Sequence, residues 1–196
     1  MPTTNSCGAL AAGLTAFECG KIAASGTRKR VVLINFDDID RDSLTITSGV
    51  IAALPLKSGK IGYLFSCAEN AATGEATLAK GKYVNAYDHA VTLRSLVKNQ
   101  NAKNFVNGLN GTRLVAIVEN LDEGNAGDTK FEVYGLKSGL VLTEVPFSTE
   151  LSDGVVYAIK IASDDTSKED QLPVSFYTTS IAATEAAFVS LYTPAS

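Results

Sequence analysis

The C-terminal half of the chain is a row of short apolar segments rich in β-branched residues, at 114–118, 131–134, 140–142, 155–161 and 174–177. Gly, Asn, Asp and Ser fill the gaps between them, the spacing of an antiparallel sheet folded strand after strand. No set of reactive residues is threaded through these segments. The scaffold therefore points to building or binding, and no enzymatic turnover is expected.

At 196 residues the chain fits one domain, since sandwiches and barrels of this length stay undivided. A domain of this size buries about 70% of its unfolded surface and folds without a disulfide or metal staple. With 45% hydrophobic and 19% charged residues the composition is globular rather than disordered. The net charge of -4 is spread along the whole length. It leaves neither the basic stripe that nucleic acid needs nor a polybasic anchor for anionic lipid. No stretch approaches the roughly 20 apolar residues of a membrane helix, so no membrane partner is expected.

The start of the chain is rich in Ala, Gly, Ser and Thr. It lacks the marks of a signal peptide: no basic residue precedes Lys21, Glu18 interrupts the run, and Gly13 and Thr15 break up the apolar core. Residues 1–27 read as a low-complexity N-terminal arm, ahead of a single β-rich domain over 28–196. Arms of this kind either order on a neighbouring subunit or fray. Cys7, Cys19 and Cys67 form no C-x-x-C pair and have no histidine beside them, so zinc is not expected. A Cys7–Cys19 bridge and reduced thiols both remain open.

Residues 30–35 read as a strand, with a polar, acidic turn after them at 37–42. The stretch 44–56 alternates loosely through Ile46, Val50, Ala52 and Leu54, and Pro55 suits its exit. A turn at 57–60 leads into a strand at 61–65, and these three would pair as a meander. After an Ala/Gly/Thr loop at 71–81, Tyr83, Asn85, Tyr87, His89, Val91, Leu93 and Ser95 share one side of a long strand. That side is too mixed for a plain core position, and the strand is expected to run past the domain and pair with another subunit. A helix is expected over 98–110, with Val97, Phe105 and Leu109 near one stripe and Gly111 as its stop. A second is expected over 184–192, with Thr184 and Glu185 at its start and Pro194 beyond. No repeat at a period of 20 to 50 residues points to a solenoid.

Candidate chemical groups resolve one by one into structural roles. His89, the only histidine, has no cysteine or paired carboxylate at useful spacing, and Asp88 would point to the opposite face. Gly8 and Gly13 have the spacing that opens a phosphate loop, but Leu14-Thr15 stands where Lys and Ser/Thr must follow. The acidic run 122–128 resembles a calcium loop only in its oxygens; its spacing does not match, and a hairpin loop is expected there. Arg28-Lys29-Arg30 has no aromatic stacking set beside it, so it reads as a solvated edge or as a partner for an acidic loop of a neighbour. Asn110-Gly111-Thr112 is a formal glycosylation sequon. No catalytic residue, metal or cofactor is expected.

Leu114-Val115-Ala116-Ile117-Val118-Glu119, a Gly-rich loop, and then Phe131-Glu132-Val133-Tyr134-Gly135-Leu136-Lys137-Ser138-Gly139-Leu140 carry a resemblance. So do Leu172-Pro173 with the strand and Ala182-Ala183-Thr184-Glu185-Ala186-Ala187 after it, and the two N-terminal cysteines ahead of a strand ending Asn35-Phe36-Asp37. In this order the segments resemble virion structural proteins of tailed phages infecting Bacteroidetes, crAss-like phages among them. The resemblance implies a mainly β fold, a tail-tube-like β-sandwich or small barrel with one or two flanking short α-helices. It implies homo-oligomeric rings, hexameric in a tube or dodecameric in a neck, that form or adjoin the DNA-conducting tail channel. Its implied partners are further copies of the chain, other tail, neck or portal proteins, and DNA in transit without specific binding. The implied location is the virion, after synthesis in the host bacterial cytoplasm. Alternative roles are a head-tail neck adaptor, a capsid decoration protein, or a carbohydrate-binding β module on a fibre. The residues expected at the assembly interface are Arg28, Lys29, Arg30, Tyr83, Tyr87, His89 and Leu93.

Overall fold

The computed structural model describes residues 26–81, 85–124, 127–146 and 157–194. In chain order the elements are β1 (Thr27–Asn35), a 3-10 turn (Phe36–Asp38), β2 (Val50–Ile51), β3 (Tyr63–Ser66), β4 (Ala72–Ala79) and β5 (Ala86–Ser95). Helix α1 (Gln100–Leu109) follows, then β6 (Leu114–Asn120), β7 (Phe131–Tyr134), β8 (Leu140–Glu144), β9 (Tyr157–Ser163), β10 (Val174–Phe176) and α2 (Ile181–Ser190). The protein is mainly β, and its described residues form a ten-stranded hydrogen-bonded sheet and two α-helices.

One run of that sheet is β3-β1-β6-β7-β10-β2, and the other is β8-β9-β5-β4; they meet where Leu114 of β6 pairs with Leu140 of β8. Side chains from the two runs close on one another in a sandwich-like arrangement. Val31 and Leu33 of β1 and Leu114, Ala116 and Val118 of β6 share a core with Val91 and Leu93 of β5 and Ile159 and Ile161 of β9. The alternate residues of the same strands, Val32, Ile34, Val115 and Ile117, point the other way into a second core. Both faces of β1 and β6 are thus buried, which is why their sequences are unbroken apolar runs rather than alternating ones.

The second core is roofed by α2 and by the segment between β1 and β3. Phe188 of α2 stacks on Phe131 at 4.5 Å, Phe176 meets Phe131 edge-on at 6.5 Å, and all three side chains are fully buried. Ser180 caps α2 by accepting from the amide of Ala183. Asn99 caps α1 through Oδ1, which accepts from the amide of Ala102 at 2.8 Å. Helix α1 packs Phe105 against Phe65 of β3 at 5.8 Å and drives Leu109 into the first core.

Several expectations need correction. The stretch 71–81 is not a loop, because residues 72–79 form β4, paired along its whole length with β5. The first three strand candidates do not form a meander: β1 pairs with β3, whereas only Val50 and Ile51 of the middle stretch are strand, and they lie parallel to β10. Helix α2 starts at Ile181 rather than at Thr184, since Ser180 supplies the cap and Thr184 is buried. Its hydroxyl donates to the carbonyl of Ser180 and accepts from the amide of Thr178. The C-terminal strands pair strand after strand only in part: β6 with β7 and β8 with β9 are consecutive antiparallel pairs, whereas β7 continues to β10 and β9 to β5.

Candidate assembly surface

Two members of the basic triplet at the start of β1, Arg28 and Arg30, pair with acids of their own chain. Arg30 donates from Nε and Nη2 to the two carboxylate oxygens of Glu119 at 2.8 and 2.9 Å, a bidentate pair across β1 and β6. It also pairs with Glu185 of α2 at 2.5 Å, and its guanidinium lies over the Phe188 ring at 5.2 Å. Arg28 reaches Glu123 at 3.1 Å, and Lys130 joins Glu123 and Glu185 at 3.3 and 3.4 Å. Glu119 is 2% exposed, so its carboxylate is stable there only with these cations around it. The hydrogen bonds that Arg30 donates to Glu119 hold its guanidinium above its already high ordinary pKa. Arg28 and Arg30 therefore lock α2 and the β6–β7 loop to the sheet, and their acidic partners come from their own chain. Lys29 is exposed.

The long middle strand is interior. Leu93 is fully buried and His89 is 2% exposed, so neither offers a side chain to a neighbour. Their strand, β5, has β4 on one side and β9 on the other, which leaves it no free edge. The mixed character of that face has a local cause. His89 accepts from the amide of Gly135 at Nδ1, at 3.2 Å, and its Nε2 lies 3.0 Å from the carbonyl of Gln171, to which it donates. Tyr87 is half-buried, and its backbone exchanges two hydrogen bonds with Glu169. Tyr83 lies outside the described residues.

Three strands have an open edge among the described residues: β2 (paired only with β10), β4 (paired only with β5, with Glu75 on it) and β3, and β3 is the one of them that lies beside apolar clefts. It pairs with β1 on one side and with no described strand on the other. Its sequence, Tyr63-Leu64-Phe65-Ser66, contains neither charge nor proline, the devices by which edge strands avoid pairing with other chains. Tyr63 and Leu64 are 53% and 40% exposed, and Leu96 and Val97 are each 53% exposed. Two clefts run between this edge and α1. One of about 240 Å³ is lined by Leu64, Phe65, Val97, Ala102, Phe105 and Ile159. The other, about 230 Å³, is lined by Leu33, Tyr63, Phe105, Leu109 and Leu114. Phe105 walls both.

No acidic residue occurs within 57–67 or 96–118, which carry Lys57, Lys60, Lys98, Lys103 and Arg113. Of these, Lys60 pairs with Asp38 at 3.1 Å and Arg113 lies 3.9 Å from Asp164, both acids from other parts of the chain. Sequence reasoning passed over the β3 edge because residues 61–65 read as one strand of a meander. The usable signal was the lack of charge in a strand bounded by Lys60 and Cys67.

Among the described residues no group of three His, Cys, Asp or Glu side chains is placed to hold a metal ion, and no helix is long and apolar enough to cross a membrane. No family model matches this chain, and neither a curated protein nor a solved structure matches it.

Proposed function

We propose that this protein is a structural subunit of a phage tail, assembling into homo-oligomeric rings that form or adjoin the channel through which DNA passes. The observation that carries this reading is the open β3 edge, a chargeless strand with exposed Tyr63 and Leu64 beside two apolar clefts. Edge strands that lack protection are templates for another chain, because their backbone donors and acceptors want partners. A contact that uses one surface on one copy and a different surface on the next repeats around an axis and closes when the rotation permits.

Three further points support it. The ordered resemblance to virion structural proteins spans most of the chain. The described side chains that are charged and buried, chiefly Glu119, Lys130 and Glu169, are engaged in holding the fold. A net charge of -4 suits a lumen past which phosphates must slide, since a basic lining would retain them. Negative-stain electron microscopy of the purified chain tests the reading: class averages with sixfold or twelvefold symmetry around a central hole are expected. Particles without rotational symmetry at any concentration contradict it.

A further inference from the structure

The buried histidine has a role that the assembly reading does not use. The turn between β7 and β8, residues 135–139, has its backbone tied on every side. Glu169, 2% exposed, accepts from the amides of Lys137 and Ser138 at 2.9 and 2.8 Å. Arg41 donates to the carbonyl of Leu136 at 2.7 Å, Arg113 to that of Ser138 at 2.6 Å, and the Ser138 hydroxyl to the carbonyl of Lys168 at 2.7 Å. The remaining tie is the amide of Gly135, which donates to Nδ1 of His89. Gly135 sits at φ +73°, and a Cβ there would lie 2.5 Å from Leu140 Cγ, so the peptide has little room to turn elsewhere.

These partners define the state of the ring. Nδ1 faces a donor and so carries no proton, while Nε2 faces the carbonyl of Gln171 and carries one. His89 is therefore neutral and in a single tautomer. Adding a proton at Nδ1 sets two N–H groups against each other, which removes the Gly135 bond and leaves a buried donor on each side.

We propose that His89 is a proton-operated latch: protonation at Nδ1 frees Gly135 and loosens the 135–139 turn together with the 168–171 strip, while both apolar cores stay closed. The loosened elements line a surface cleft of about 480 Å³ that includes Arg41, Leu136, Lys137, Glu169, Asp170 and Gln171. Acid thus reshapes that face without dissolving the sheet.

The charges facing the ring come from several directions. Glu169 and Asp170 lie on the 168–171 strip and Asp88 is next in β5; all three favour the charged ring. Lys168 offsets Asp88 in an ion pair at 2.5 Å, Lys137 offsets Asp170 at 2.8 Å, and Arg41 donates to the Leu136 carbonyl of the turn. From β7, Tyr134 presents its ring edge-on at 5.6 Å, and from β9, Ser163 accepts from the His89 amide. Burial outweighs the acids and pushes the imidazole below its ordinary 6.5.

Because the chain has a single histidine, its ring signals in a carbon–proton NMR spectrum follow the proton without ambiguity. The experiment is a pH titration of those signals on the full chain, with amide exchange read at Gly135, Lys137 and Ser138 and corrected for the intrinsic effect of pH. Exchange at these amides is expected to rise roughly tenfold with the His89 transition, while exchange at Val32, Ile34, Val115 and Ile117 stays flat. His89→Asn, which keeps an acceptor near Nδ1 but does not titrate, should abolish the step. The latch is overturned if turn exchange ignores the His89 titration, or if the core amides open along with the turn. Both overturning results are readable in the wild-type chain, whether or not the variant folds.

Discussion

Glu119 shows how a buried charge organises its surroundings. With Arg30 across from it on β1 and Lys130 close by, it converts a costly group into the tie between two strands and a helix. Removing it strands partly buried cations, so Glu119→Ala should lower stability by roughly 2–4 kcal/mol in urea unfolding. Glu185→Gln, at a more exposed end of the same cluster, should cost no more than about 1 kcal/mol. His89 governs the acid side of the stability profile. Its folded pKa is lowered by burial, so the unfolded chain takes up the proton first as the pH falls through 6.5. Stability is therefore intact above that value, declines below it, and levels off once the folded site is protonated too. Thermal melts over about pH 8 to about pH 5 should show this decline in the wild type and lose it in His89→Asn. None of these pairings was legible in the sequence. Arg30 and Glu119 are far apart along the chain, and only the register of β1 against β6 brings them together.

Elements were legible where their own residues decide them. Strand β7 lies where its Phe-x-Val-Tyr pattern puts it, and α1 lies within its expected span, because local patterning and a side-chain cap suffice there. Strand β4 was hidden. Its Ala-Thr-Gly-Glu-Ala-Thr-Leu-Ala sequence has turn-like composition, and it is held as a strand by pairing with β5. Gly74 explains part of that composition. A Cβ there would lie 2.4 Å from the ring end of Tyr134, whose hydroxyl is bonded to Glu132. Strand propensity predicts that Gly74→Val helps, whereas packing predicts a loss of about 1–3 kcal/mol. Packing should win, as the urea midpoint will report. Phe188→Ala should cost about 3–5 kcal/mol, since it empties the stack that seats α2 on the sheet.

For the whole molecule, the mainly β class was legible from the row of short apolar segments, and the order of the strands was not. Order depends on which edges meet, and edges carry no local signature except the charge or proline that protects them. The same reasoning makes β3 informative: it is a short apolar strand whose protection is missing. The account predicts that copies of the protein join along it. Leu64→Lys places a charge on the open edge at a position that is 40% exposed, so it should separate the copies and leave the circular dichroism spectrum and melting temperature close to those of the wild type. Mass photometry of the two chains side by side is the most direct measurement. The prediction is a closed oligomer for the wild type, at six or twelve times the mass of the chain, and a monomer for Leu64→Lys. A wild type that is monomeric at every concentration, or a variant that assembles as the wild type does, contradicts it.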